Sequence, residues 1–151
     1  MNVQMSTVAE LERDPGLAVL LAEYAAESSI AGMPPPAARM ESYRELEVRG
    51  LLKVLSATCD KRLIGFLTLL APVLPHYGVA VAVSESFFVA RAHRGTGAGL
   101  KLLRAAEVLA RRLGSPGLLV SAPFGGDLFK VLPRVGYVET NRVFFKKVSD
   151  D

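Results

Sequence analysis

FFVARAHRGTGAGLKLL, residues 87–103, passes from aromatic and branched residues through a basic, glycine-rich bend into a stretch with helical periodicity. Leu102, Ala106, Leu109 and Leu113 line one side of a helix predicted over residues 98–113, while Lys101, Arg104, Arg111 and Arg112 leave the other side polar. The amino terminus of a helix exposes unpaired N–H groups and the positive end of the helix dipole. Phosphate oxygens are natural partners for those groups, and glycine lets the main chain approach them closely. Arg94 adds a guanidinium at the entry to the bend. The stretch therefore has the chemistry of a diphosphate cradle built mostly from backbone.

Spacing separates this bend from two better-known phosphate loops. A P-loop needs lysine directly after its last glycine, but Leu100 stands between Gly99 and Lys101. A dinucleotide fingerprint needs G-x-G-x-x-G, and after Gly95 and Gly97 the third position falls on Leu100. Neither pattern fits.

Upstream, residues 51–58 and 62–71 read as two strands of a hairpin turning at Cys59-Asp60-Lys61. A loop over residues 72–78 carries His76 and Tyr77, and residues 79–89 form a valine-rich third strand with Glu85 near its end. Two helices come first. Asp14-Pro15 is a helix-start signal, and Leu17, Leu20, Leu21, Tyr24 and Ser28 follow at helical spacing. That helix is expected to end near Gly32, with Met33-Pro34-Pro35-Pro36 forcing an extended break. The second helix is predicted over residues 37–49, with Met40, Tyr43 and Leu46 on its apolar side. Downstream, the sequence predicts a short strand at residues 118–121, a short helix at 127–133 and a final strand at 137–148. This order gives a single α/β domain, residues 1–151, with a mixed sheet.

Composition narrows the function classes. Half the residues are hydrophobic and 22% are charged, which suits a packed core. A net charge of +3 fits an anionic ligand but is too small to imply nucleic acid, and tryptophan is absent. Cys59 is the only cysteine, so no disulfide framework is possible; a reducing compartment and a buried structural thiol are expected. No second cysteine or histidine stands at ligand spacing, so no metal is expected. The opening MNVQMSTVAE lacks the pattern of a signal peptide, and the longest apolar run is broken by Pro72 well short of a membrane span. A soluble cytoplasmic protein with no membrane partner is expected.

Arg94-x-x-Gly97-x-Gly99, set between a hydrophobic strand and an amphipathic helix, resembles the Q/R-x-x-G-x-G/A signature of the GNAT superfamily of N-acetyltransferases. Glu85-Ser86-Phe87-Phe88-Val89 resembles that family's fourth strand, and the segment from Phe129 to Tyr137 resembles its F-Y-x-x-x-G-F/Y stretch. The resemblance implies a mostly antiparallel central sheet flanked by helices and splayed between the fourth and fifth strands. It implies acetyl-CoA as co-substrate, with Phe88, Val89 and Ala90 offering strand backbone to its pantetheine arm. Arg94, Gly95, Thr96, Gly97, Ala98 and Gly99 would surround its diphosphate, chiefly through N–H groups. A homodimer through the final strands is the assembly the resemblance suggests.

The implied reaction is attack by a primary amine on the thioester, the amine belonging to a small molecule or a peptide. Glu85 is the first candidate for the base: strand alternation puts it on the side of Val89, and relatives often carry an acid there. His76 is the second, because its pKa suits proton transfer and its loop feeds the central strand. The sequence leaves the choice between them open. One departure stands out: Leu132 occupies the position where the family frequently has a tyrosine that protonates the leaving thiolate. An acyl-CoA-binding sensor of weak activity is therefore the alternative, and a nucleotide-binding regulator a third reading. The acceptor side is expected around Ile30 to Met40, where Met33 and three prolines point to a small or partly hydrophobic acceptor.

Overall fold

The structure is a computed structural model that describes residues 1–150. Its order is β1 (Asn2–Ser6), α1 (Val8–Arg13), α2 (Leu17–Ser28), α3 (Met40–Val48), β2 (Leu52–Cys59), β3 (Arg62–Leu70), β4 (Val73–Leu74), β5 (Val79–Ala80), β6 (Ala82–Val89), α4 (Ala98–Arg112), β7 (Leu118–Leu119) and α5 (Asp127–Val131). Five strands form one sheet in the order β1-β2-β3-β6-β7, antiparallel except for the parallel pair β6-β7. The strands β4 and β5 make a separate small hairpin.

The β2-β3 hairpin forms where the sequence predicts it. Asp60 and Lys61 both take positive φ, 50° and 64°, as a two-residue turn matched to strand twist requires. The long third strand is divided: the Val81 N–H leaves the ladder to bond the Pro72 carbonyl, so β5 and β6 belong to different sheets. Asp14 does not cap α2, whose N-cap is Gly16. Its carboxylate instead accepts from the Gly16 and Leu63 N–H groups (2.8 and 3.1 Å), pinning the turn between the first two helices to the start of β3.

Side-chain alternation across the strands divides the core into two layers. Leu55, Leu67 and Leu69 meet Leu102, Leu103 and Ala106 of α4 on one face. Val54, Phe66 and Phe88 meet Val8, Leu11 and Leu20 of α1 and α2 on the other. Within β6 the alternation breaks. Ala82 packs toward α4, yet Phe88, six residues later, packs toward α2. The cause is a bulge: Thr68 pairs with Ser86 and Leu69 with Ser84, which leaves Glu85 as the extra residue.

The predicted final strand is not assigned among the described residues. After Gly136 the chain runs without a ladder partner, and Val138, Val143 and Phe144 are each more than 80% exposed. Branched and aromatic residues favour a strand only where a neighbouring strand takes up the backbone bonds. No described helix is long and apolar enough to cross a membrane.

Candidate active site

Hydrogen bonds between β6 and β7 cease almost at once. Ala82 pairs with Leu118 and Val83 with Leu119, after which the strands part. One edge of β6 is thereby left without a ladder beyond Ser84, and the Ser121 N–H reaches only the Ser84 hydroxyl, at 3.3 Å. Main-chain groups alternate edges along a strand, which decides which residues face this gap. The Ala90 N–H is donated to the Ile64 carbonyl at 2.8 Å, so Ala90, and with it Phe88, turns its backbone toward β3. Phe87 and Val89 turn theirs into the gap. Of the three strand residues expected to offer backbone to a cofactor, Val89 alone is so oriented, and Phe87 joins it.

After β6 the chain makes a short 3-10 turn (Arg91–His93) and enters the glycine bend. Gly95 and Gly97 sit at φ 83° and 88°, a region costly for residues with a Cβ. Thr96 is held by its hydroxyl, which donates to the His93 carbonyl at 2.6 Å. The first helical bond of α4 is donated by Lys101 to the Gly97 carbonyl. Among the described residues, the N–H groups of Gly95, Thr96, Gly97, Ala98, Gly99 and Leu100 make no hydrogen bond of good geometry to the protein. No side chain caps this end of α4, and its first turn carries no acid. The space in front of Gly95 and Gly97 is open. A run of free donors at the positive end of a fifteen-residue helix is suited to an anion.

The Arg94 side chain has a different task. Its guanidinium lies on both oxygens of Glu27 (3.1 and 2.7 Å), donates to the Val89 carbonyl (3.1 Å) and stands 5.1 Å from the Phe88 ring centroid. Arg91 donates to the same carboxylate at 2.8 Å, and its N–H bonds Glu23. The Arg94 guanidinium, more than any other cause, holds the Glu27 carboxyl below the ordinary glutamate range. The bend is thus tied to α2.

Glu85 points from the sheet toward α3. One of its oxygens accepts from the Tyr43 hydroxyl (3.0 Å), the other from Thr68 (2.8 Å) and Ser86 (2.5 Å). The bulge therefore places Glu85 on the opposite side of β6 from the Val89 side chain, which packs toward α4; simple alternation had put them together. Burial pushes the Tyr43 phenol up to about 12, with the Glu85 charge adding to the effect, and Tyr24 is raised by the same two causes. The edge of Tyr24 packs against Phe88, with ring centroids 5.3 Å apart. Neither tyrosine is marked as a functional group by sequence alone, since both lie on the predicted apolar helix faces.

His76 is not part of this group. It lies between β4 and β5, exposed, with its ring against Tyr77 at 4.9 Å. Leu132 is buried in the core, and the Tyr137 hydroxyl donates to Glu107. Cys59 is half-buried at the end of β2.

A family model described as the acetyltransferase (GNAT) family matches residues 13–122. No curated protein matches the chain in sequence. Among solved structures, a ribosomal-protein-alanine N-acetyltransferase from Brucella melitensis biovar Abortus 2308 superposes with a TM-score of 0.73 at 18% identity, covering 98% of this chain and all of that one. The aminoglycoside acetyltransferase meta-AAC0020, from an uncultured soil metagenomic sample, does so at 0.73 and 17% over 98% and 96% of the two chains. AAC(6')-Iy, solved with the bisubstrate analogue CoA-S-monomethyl-acetylneamine, gives 0.75 and 20% over 98% and 97%. At these identities the likeness is one of fold. The family match extends from the turn before α2 through the glycine bend to the segment beyond β7, and so takes in both sides of the parted strands; the chain belongs to the GNAT family of acetyltransferases.

Proposed function

We propose that this protein is an acetyl-CoA-dependent N-acetyltransferase in which a primary amine attacks the thioester while both substrates are bound. The observation that carries the reading is the row of free N–H donors from Gly95 to Leu100, directly after the unpaired edge of β6. The bend fits a diphosphate without help from the Arg94 side chain. Phe87 offers its backbone at the parted edge to an extended amide-bearing arm, and Val89 offers its N–H, its carbonyl being taken by Arg94.

Holding the two reactants in line supplies much of the rate. A primary amine, with a pKa of about 10 by analogy with lysine, must first lose a proton. Glu85 receives it, directly or through water, from an ammonium on the α2-α3 side of β6. The nitrogen lone pair then forms the C–N bond, and the Val89 N–H stabilises the charge on the carbonyl oxygen. The C–S bond breaks. The thiolate leaves with its electron pair and takes up a proton, while the new amide nitrogen sheds its extra one. A thiol of pKa about 8.5 is a tolerable leaving group without a dedicated acid. His76 remains a second candidate base only if its hairpin closes over the site.

Titration calorimetry with acetyl-CoA, paired with an amine-dependent thiol-release assay, tests this reading. Micromolar binding and thiol release only when an amine is present are expected. The absence of binding heat overturns it, as does better thermal protection by ATP or NAD than by CoA. The burial of Leu132 where the family often has tyrosine favours one alternative, a weakly active acyl-CoA sensor. Tight binding of acetyl-CoA with no turnover of any amine would select it.

A further inference from the structure

The bulge on β6 is closed by a side chain of the facing strand, that of Thr68 on β3. Thr68 and Ser86 are 3% and 5% exposed, whereas Glu85, the extra residue, is exposed. A bulge disrupts the ladder locally, and its main-chain groups need other partners. Here the Ser86 N–H is donated to the Thr68 hydroxyl oxygen at 2.9 Å. That oxygen also stands 2.8 Å from Glu85 Oε2 and 2.8 Å from the Ser86 hydroxyl, which is itself donated to Oε2 at 2.5 Å. Two hydroxyl protons therefore serve three contacts. Either both hydroxyls donate to the carboxylate, or Thr68 donates to Ser86 and Ser86 to the carboxylate. In both arrangements Oε2 is held from the buried side, by groups that Thr68 also ties to the backbone of the bulge. Among the described residues, Oε1 accepts from the Tyr43 hydroxyl alone. An ionised carboxylate has about four acceptor sites, so Oε1 keeps one open, on an exposed residue.

From this arrangement, and resting on the acetyl-transfer reading, we infer that Thr68 is a positioning residue of the reaction. Its one hydroxyl fixes the bulge and the base together, and leaves Glu85 Oε1 as the oxygen that takes the proton of the amine. The proton passes from the ammonium nitrogen to Oε1, and the N–H electron pair stays on nitrogen to form the C–N bond. Buried beneath Glu85, Thr68 acts through it and not on a reactant. The residue type suits the task. A β-branched side chain has few χ1 choices, so the hydroxyl keeps a set direction. Valine has the same shape without the oxygen, and would deprive the Ser86 N–H of this acceptor and Glu85 of this donor. A threonine that served the sheet alone would lower stability when replaced, but its loss would not depend on whether Glu85 is present.

The test is a double-mutant cycle on kcat, measured by thiol release. Phenethylamine, spermidine, kanamycin and a peptide with a free amino terminus are offered, and the one the parent protein turns over fastest is used. Thr68→Val should lower kcat at least about tenfold, the rate equivalent of a lost hydrogen bond to a charged group, with the Kd of acetyl-CoA within about twofold of the parent. Thr68→Ser, which keeps the oxygen, should return kcat to within about threefold. Added to Glu85→Gln, Thr68→Val should cost no more than about a further twofold, because the base it orients is already gone. If the valine variant does not fold, Ser86→Ala breaks the same set of contacts while sparing the N–H bond to Thr68. It should show the same loss of kcat and the same absence of a further loss on Glu85→Gln. Losses that multiply in the cycle overturn the inference and leave the acetyl-transfer reading standing. So do a Thr68→Val or Glu85→Gln variant as fast as the parent, and a Thr68→Ser variant no better than Thr68→Val. Binding of acetyl-CoA without turnover of any of the four amines overturns both.

Discussion

Replacing Arg94 with alanine separates two roles that the sequence alone cannot distinguish, a cation for phosphate and a tie between helix and bend. The structure gives its guanidinium two bonds to Glu27, one to the Val89 carbonyl and a place against the Phe88 ring. The side chains of Arg94 and Glu27 are 36% and 30% exposed, so the charge-assisted pair must be discounted for solvent to ~1 kcal/mol. Loss of the carbonyl bond and the ring contact adds ~1 kcal/mol. A total of ~2 kcal/mol lowers Tm by about 4–8 °C in a chain of this size. Acetyl-CoA affinity should fall by less than about tenfold, and Kd should keep the salt dependence of the parent protein, because no exposed cation–phosphate contact has been removed. A double-mutant cycle with Glu27→Gln should return a coupling of ~1 kcal/mol. Unchanged Tm together with a Kd raised about 100-fold and less sensitive to salt would instead assign the guanidinium to the diphosphate.

Three further outcomes follow from the geometry. Gly97→Ala places a Cβ in the left-handed region at a cost of ~1–2 kcal/mol, though the space around it is open, so thermal melts should show a modest loss. Gly65→Ala should be far more damaging, since its Cβ would stand 2.9 Å from the Phe88 carbonyl and 3.2 Å from Val89; a variant that expresses in soluble, parent-like form contradicts that contact. Tyr43 is raised from 10 to about 12 in the fold, so its stabilising contribution is whole below pH 10 and is lost as pH rises from 10 toward 12. Urea unfolding across that range should show the decline, and Tyr43→Phe should remove this component of it.

Residues with local signals were readable. The turn at Asp60-Lys61, the apolar stripe of α4 and the glycine bend each declare themselves within a few positions. The first strand and helix were missed although one signal was present. Thr7 and Glu10 form a reciprocal capping box, T-x-x-E, at the start of α1. The strand before it is an edge strand, largely exposed, with little alternation to read. Other features have no local signature at all. Nothing in Ala82–Val89 announces an extra residue at Glu85, because a bulge is fixed by the register of the partner strand. The pairing of Arg94 with Glu27 spans 67 positions, and only the fold brings the two together. The predicted last strand failed for the complementary reason: its residues have strand character, but no neighbour among the described residues supplies the bonds.

On the proposed function, the bulge also explains how one strand would serve two substrates. Without it, Glu85 would point with Phe87 and Val89 toward α4, and its carboxylate would be buried among leucines, where an unpaired charge is costly. With it, the carboxylate reaches three hydroxyls on the side of α2 and α3. Four residues later, the Val89 backbone still faces the parted edge beside the glycine bend. The acid and the free N–H are thus held on one rigid strand but directed to different spaces. In that geometry, an amine from the α2-α3 side and a thioester lying along β6 would meet at the parted edge. Removing the extra residue by deleting Glu85 should therefore abolish acetyl transfer more completely than Glu85→Gln, which keeps the register and loses only the charge. Equal residual rates in the two variants would show that the register contributes nothing.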